Sequence, residues 1–441
     1  MNLTVWLTLY LSGFAFFTYA CIVADPDKSP VAKLLTQTLP GYALSGLRRL
    51  AGPKVASSFE SVAEMGLVIV YLLIVLGCWS IIFTHAYDLI TSSTHVSDGH
   101  KYSGYMVFVA CMGSWRYASR ASPGIVTART LVRYDNYPYD DLLFPRDRIC
   151  PTVKIRKLAR SKYDWVTNQH IPRFDHFCGW INNAVGEENY RWFLLFLAVH
   201  VGMCFYGSIV CYWLFVGEII DGDLLNATFF VVETGEEVKA SKMVVVQFLL
   251  ARHFYLSACF ICMVVMGVAL TLFLGFHLYL SARGMTTNEY YKWKQVIRWH
   301  KSAKRRYEEA KKEGLVTERQ TQGEGKAVSS ATISDDVDVG CVGPAGTSVA
   351  GDAKAASTQT GANGDRGKEG DDDDDSAILD PGPFPKNIYD RGIRENFGEI
   401  IYPRSLREDA TSRWRSHLRK GGVKPSRVEP DLAVLNKPKA T

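Results

Sequence analysis

No paired CxxC knuckles at zinc-finger spacing occur in the 441 residues, and the ten cysteines are scattered, mostly inside apolar runs. A disulfide framework is therefore not expected, and most of these thiols read as small buried hydrophobes. Strong charge of one sign is also missing. The net charge is only +5, and no basic stripe interleaved with aromatics appears, which argues against nucleic acid as a partner. The average composition, 47% hydrophobic and 22% charged, resembles that of a soluble protein. That average conceals a segregation: apolar residues crowd the first two-thirds of the chain and charge the last third.

A bilayer core about 30 Å thick needs roughly 20 apolar residues in a helix. Residues 3–24 meet this, and they lack the basic start of a secretory signal, so an uncleaved anchor is expected. Residues 66–83 form a second span, 104–117 a shorter third that ends at Arg116, 192–217 a fourth and about 256–281 a fifth. The stretch 243–251 is too short to cross alone. The chain thus reads as an all-α polytopic membrane protein with about five transmembrane helices and the lipid bilayer as an obligatory partner. Lysine and arginine set its orientation. The loop after the first span carries Lys28, Lys33, Arg48, Arg49 and Lys54, and residues 116–191 are rich in both, so these face the cytosol. The acidic loop 218–242 holds the glycosylation sequon at Asn226 and is expected in the lumen.

The expected organisation is spans one to three over 1–117, a cytosolic domain over 118–191, spans four and five over 192–283, and a basic juxtamembrane helix over 284–315. An acidic linker over 316–385, with five consecutive aspartates, cannot bury enough apolar area to offset its chain entropy and should lack structure. Aromatics return in 386–441, which predicts a segment docking back on the body. The chain ends with Lys437-Pro438-Lys439-Ala440-Thr441, a pattern like an endoplasmic-reticulum retrieval signal, so an endoplasmic-reticulum or Golgi membrane is expected.

The cytosolic loop contains "FDHFCGWINNAVG" at 174–186. Asp175, His176 and Cys178 fall within four residues. A thiol is only a few per cent thiolate at neutral pH. An adjacent imidazole can take its proton, and a carboxylate on the other ring nitrogen fixes the tautomer. The same residue types also suit the remains of a metal site, and the residues alone leave both readings open.

The block from Cys150 to Phe193 resembles the cysteine-rich domain of the DHHC protein S-acyltransferases. Ser122-Pro123-Gly124 stands where that family has Asp-Pro-Gly, Thr286-Thr287-Asn288-Glu289 resembles its Thr-Thr-x-Glu motif, and "NYPYDDLLF" at 136–144 resembles a lead-in found in one branch. The likeness spans roughly 100–300, with an echo at 387–402. Members normally hold this domain with two zinc ions and eight Cys or His ligands. At the corresponding positions this chain keeps Cys150 but has Val153, Tyr163, Asp164, Thr167, His170, Phe177 and Ala184. A structural zinc needs four N or S ligands in a tetrahedron. Only Cys150 and His170 qualify, so no metal is expected. Packing of Val153, Tyr163, Phe177 and Ala184, with Trp165, Phe174, Trp180 and Ile181 nearby, is expected to take over part of the metal's role.

The resemblance implies a protein S-acyltransferase that moves a long-chain acyl group, such as palmitoyl, from acyl-CoA to a cysteine of substrate proteins through acyl-Cys178. Acyl-CoA is then a co-substrate, and no cofactor is required. His176 is the base, Asp175 its orienter, and Lys154, Arg156, Lys157 and Arg160 are candidate partners for CoA phosphates. Trp180, Asn182, Asn183, Asn189, Thr286, Thr287, Glu289 and Asn396 are the motif residues expected to hold the site, and Gly179 replaces the usual Pro. His200, His253 and His277 are expected to serve helix packing. The alternative is a catalytically inactive DHHC-like membrane scaffold or regulator.

Overall fold

The structure, a computed structural model, describes Ser12 and residues 30–34, 38–55, 65–140, 142–230, 235–313 and 380–420. The expected anchor at 3–24, nearly all of the acidic linker and the terminal lysines lie outside the described residues. The chain divides into two compact units, one of residues 1–64 and 293–386, the other of 65–292 and 387–441.

In the first unit, helix α1 (Leu39–Ala51) stops at Gly52, whose φ of 86° only glycine adopts at no steric cost. Arg48 and Arg49 in its last turn face the negative end of the helix dipole. Elsewhere in this unit the His300 Nε2 lies 3.1 Å from the Gly382 carbonyl, and its ring packs edge-on to Phe384.

The second unit is helical around a small β-built insert. Helix α2 runs Gly66–Ser92 with a π turn at Ile82–Ala86. Helices α3 (Gly99–Arg120), α4 (Tyr190–Asp221), α5 (Lys242–Arg252) and α6 (Phe254–Ala282) follow, and α7 (Thr287–Lys312) starts in this unit. Among the described residues three helices are long and apolar enough to cross a membrane: α2, α4 and α6. This is a polytopic membrane protein. The expected third span lies within α3, which is long enough but is not among these three, its polar residues including His100, Lys101, Arg116 and Arg120. The 243–251 stretch forms α5, separated from α6 by a break at His253.

Helix α4 packs most extensively against α6 and then α3. Apolar side chains from α2, α3, α4 and α6 meet in one cluster that includes Tyr71, Val75, Trp79, Phe193, Phe196 and Leu197 together with Cys178. Between α3 and α4 the chain forms two antiparallel ribbons, β1 (Lys162–Asp164) with β2 (Gln169–Ile171), and β3 (His176–Cys178) with β4 (Asn183–Val185). A third, β5 (Thr228–Phe230) with β6 (Glu237–Lys239), follows α4. The all-α expectation therefore holds for the membrane body but not for these ribbons. Three-residue strands are shorter than any alternation of polar and apolar residues can reveal.

Helix α8 (Ile393–Ile401) and α9 (Glu408–Lys420) belong to the C-terminal part of this unit. Asn396 donates to the Ala282 carbonyl at 2.9 Å and to Asp390, and Asn387 donates to the Arg283 carbonyl at 3.0 Å. Carbonyls at the end of α6 that lack helical partners are thereby satisfied.

Candidate active site

Successive side chains on a strand point to opposite faces. On β3 this puts His176 and Cys178 on one face and Phe177 on the other. The register pairs His176 with Val185, Phe177 with Ala184 and Cys178 with Asn183. The connecting loop, Gly179–Asn182, closes through Asn182, whose φ of 47° lies in the left-handed region that Asn tolerates best after Gly. Gly179 admits Leu67 of α2: a Cβ there would meet the Leu67 Cδ1 at 2.5 Å. Gly186 is more tightly confined, since its Cβ would meet Ile171 at 2.5 Å and the Pro123 carbonyl at 2.8 Å.

Asp175 is fully buried. Its Oδ2 lies 2.6 Å from the His176 Nδ1, and its Oδ1 accepts the Thr287 backbone N–H at 2.8 Å. Thr287 opens α7, so the carboxylate sits at the positive end of a helix. Burial alone would raise the Asp175 pKa. The hydrogen bond and charge of His176, the charge of His277 and the Thr287 N–H outweigh it and hold the carboxyl at about 2. Burial alone would lower His176. Hydrogen bonds to Asp175 and Cys178, with their charges, prevail and push the imidazole up to about 10. With Nδ1 engaged by Asp175, the other ring nitrogen is left for the thiol. Carboxylate, imidazole and sulfur are thus in sequence, and Cys178 is only 6% exposed.

The motif residues form the frame of this arrangement. Thr286 and Glu289 make a reciprocal capping box: the Glu289 N–H donates to the Thr286 Oγ1 at 3.2 Å, and the Thr286 N–H to the Glu289 Oε2 at 2.9 Å. Asn189 accepts from the Gly186 N–H at 2.8 Å and donates to the Ala184 and Ala121 carbonyls. Asn183 donates to the Ala121 carbonyl at 2.8 Å, tying β4 to the end of α3. Trp180 contributes only its backbone carbonyl, which accepts from the Trp115 Nε1 at 3.2 Å.

Two expectations are corrected. Arg160 is not a phosphate partner. It is 1% exposed and bidentate on Glu289, at 2.6 Å from each carboxylate oxygen, donates to the Gly284 carbonyl at 2.8 Å, and stacks over Tyr389. Arg156 is likewise engaged, by Asp135 at 2.5 Å and the Tyr139 hydroxyl at 2.9 Å. Lys154 is exposed and Lys157 half-buried. Trp165 and Trp180 are exposed, so they do not supply the packing expected of them.

At the positions where the family resemblance calls for zinc ligands, Phe177 and Ala184 face each other across the ribbon and join Ile171 and Phe174 in an apolar cluster. Tyr163 pairs with His170 in β1–β2, and Asp164 accepts from the Thr167 hydroxyl at 2.6 Å. His170 contacts the Ser161 hydroxyl at 2.8 Å, and burial, with the Lys157 charge, lowers its pKa to about 4. Only Cys150 and His170 offer N or S, so this donor set does not fit a tetrahedral zinc. Among the described residues one group of three potential ligands does converge, at a different place: Asp175, His176 and His277, with ligand atoms within 4.8 Å of one another. The sequence reading assigned His277 to helix packing. An ionisable side chain nine residues before Thr286 in an apolar helix was the available signal. Tyr190, whose hydroxyl lies 3.0 Å from the His277 Nδ1, and Phe193, whose ring packs on both histidines, were also missed.

This geometry agrees with what the chain is similar to. Residues 143–294 match the family model described as DHHC palmitoyltransferase. Palmitoyltransferase ZDHHC4 of Mus musculus is 33% identical over 187 residues, covering 41% of this chain and 53% of that protein. Palmitoyltransferase SWF1 of Yarrowia lipolytica is 37% identical over 119 residues, 26% of this chain and 31% of that protein. Palmitoyltransferase swf1 of Schizosaccharomyces pombe is 28% identical over 192 residues, 42% of this chain and 48% of that protein. The chain is thus similar to the DHHC-type family over residues 143–294. It spans about half the length of the ZDHHC4 relatives it matches.

Proposed function

We propose that this protein is a protein S-acyltransferase that moves a long-chain acyl group, palmitoyl above all, from acyl-CoA to cysteines of substrate proteins. The observation that carries the reading is the Asp175–His176–Cys178 series, held by the Thr287 N–H at the start of α7. His176 accepts the Cys178 proton while Asp175 stabilises the imidazolium. The sulfur attacks the thioester carbonyl, the carbon–sulfur bond to CoA breaks, and the imidazolium returns the proton to the CoA thiolate. A substrate thiol then attacks acyl-Cys178, gives its proton to His176, and regenerates the enzyme. Cys178 belongs to the apolar cluster of the membrane helices, where an acyl chain gains about 0.8 kcal/mol per buried methylene. The exposed Lys154 remains a candidate for the CoA phosphates, with Lys157 beside it.

The proposal includes a metal-independent fold for residues 150–186, held by the Phe177–Ala184 pairing and the Asp164–Thr167 hydrogen bonds where relatives are expected to use zinc. It also includes five spans in an endoplasmic-reticulum or Golgi membrane, with residues 118–191 and the C-terminus cytosolic and Asn226 lumenal. Asn226 is exposed, as glycosylation requires. Purified protein incubated with clickable palmitoyl-CoA should acquire a hydroxylamine-sensitive label that Cys178→Ser abolishes. A folded wild type that takes no label refutes the reading.

A further inference from the structure

We propose that helix α1 (Leu39–Ala51) is a peripheral membrane anchor: it lies in the headgroup layer of an anionic leaflet, with its apolar stripe toward the acyl chains. The proposal needs only that the chain spans a bilayer, so it stands or falls separately from acyl transfer.

The stripe follows from the spacing. Leu39, Tyr42, Gly46 and Leu50 recur at intervals of three and four residues, which places them on one face of the helix. Ala43 and Leu47 fall beside them in the sequence and widen the apolar sector. Ser45, Arg48 and Arg49 take the remaining sector, and all three are exposed. Leu39 is 50% exposed, Tyr42 73% and Leu50 91%, so the stripe faces outward from one end of the helix to the other. A Cβ built at Gly46, in the middle of the stripe, would meet no atom within 4 Å.

The occupant must accept apolar side chains and arginines together. A bilayer surface does so. An amphipathic helix with Lys or Arg on its polar side sinks its apolar side about 5–10 Å into the headgroup boundary, and the long basic side chains reach back to lipid phosphates. Charge favours an anionic surface: from Lys28 to Phe59 the chain has five basic residues, Lys28, Lys33, Arg48, Arg49 and Lys54, and no Asp or Glu. The bilayer is also at hand. Residues 53–65 lead from α1 directly into α2, one of the helices long and apolar enough to cross it. Those thirteen residues reach at most about 45 Å when fully extended, which keeps α1 near the surface. A second copy of the chain is the weaker occupant. A helix of this length is about 20 Å long, and one face of it falls well short of the roughly 800 Å² per partner that a stable interface buries.

The test uses the full-length protein in phosphatidylcholine nanodiscs, with and without phosphatidylserine. A photoreactive benzophenone amino acid in place of Leu50 or Tyr42 should give lipid adducts, read by mass spectrometry, far more often than the same group in place of Ser45. Amide hydrogen exchange in α1 should be slower when phosphatidylserine is present. Arg48→Gln and Arg49→Gln should each remove about fivefold of that slowing. Leu50→Asp should restore fast exchange in α1 while leaving β3 and β4 unchanged. Adducts from position 50 that map to this chain or to a second copy, rather than to lipid, overturn the proposal. Exchange in α1 that ignores phosphatidylserine, or that stays slow in Leu50→Asp, overturns it as well. Either failure in nanodiscs where palmitoyl-CoA still labels Cys178 refutes the anchor and leaves acyl transfer intact. Lipid adducts and slowed exchange on a protein that takes no acyl label support the anchor and refute acyl transfer instead.

Discussion

Arg160 offers the sharpest test of how the site is held. Its guanidinium and the Glu289 carboxylate are each 1% exposed and meet through two bonds of 2.6 Å. Arg160→Met removes the cation and leaves Glu289 as an uncompensated buried charge, which costs about 3–5 kcal/mol. At about 2–4 °C per kcal/mol for a body of this size, the melting temperature should fall by roughly 6–20 °C. Glu289→Gln should cost a comparable amount. Arg160→Met with Glu289→Gln leaves no buried charge, so the double variant should recover much of the loss and show a large coupling energy. Function should follow, because Glu289 caps the turn that presents the Thr287 N–H to Asp175. A displacement of about 1 Å there can cost about a hundredfold in rate. The measurements are thermal unfolding in detergent and the initial rate of acyl labelling below the melting temperature. The reasoning fails if Arg160→Met behaves like substitution of the exposed Arg305, or if the double variant loses the sum of the single losses.

Other outcomes follow from the same contacts. Gly186→Ala should destabilise by about 1–3 kcal/mol, because a backbone carbonyl 2.8 Å from the new Cβ cannot yield; Gly179→Ala should be milder, since the flexible end of Leu67 can move, and equal melting temperatures would contradict this. Phe177→Ala should cost about 3 kcal/mol by emptying its place beside Ile171 and Phe174, with a melting temperature indifferent to strong chelators; chelator-sensitive melting would contradict the metal-independent fold. The raised pKa of His176 adds stability that is complete below its ordinary value near 6.5 and lost as pH rises through about 10. Melting temperature should therefore fall between about pH 6.5 and 10 in the wild type and less in Asp175→Asn, and parallel curves would refute the pairing.

The apolar stretches 66–83, 192–217 and 256–281 were legible because burial in lipid demands an uninterrupted run, yet the helices run on to Gly66–Ser92, Tyr190–Asp221 and Phe254–Ala282. Hydropathy reports only the apolar centre, whereas helical hydrogen bonding continues into polar ends. Local chemistry was legible too: Asp175, His176 and Cys178 are close in sequence, and two-residue strand spacing keeps the imidazole and the sulfur on one face. Partners distant in sequence were not. Arg160 looked like a basic surface residue because its acidic partner lies 129 positions away. His277 looked like a packing histidine because a helix 87 residues after Tyr190 returns it to the site. Trp165 and Trp180 lie near the replaced ligand positions in sequence but are exposed, because short ribbons leave one face to solvent.

The central claim is that Cys178 carries the acyl group during turnover. The most direct measurement is mass spectrometry of the peptide containing residues 174–191 after brief exposure of full-length protein to palmitoyl-CoA, with and without an acceptor thiol. The account predicts a palmitoyl adduct on Cys178 that forms within one turnover, disappears when the acceptor is added, and is absent in His176→Ala. An adduct on another cysteine, with Cys178 unmodified, would contradict it.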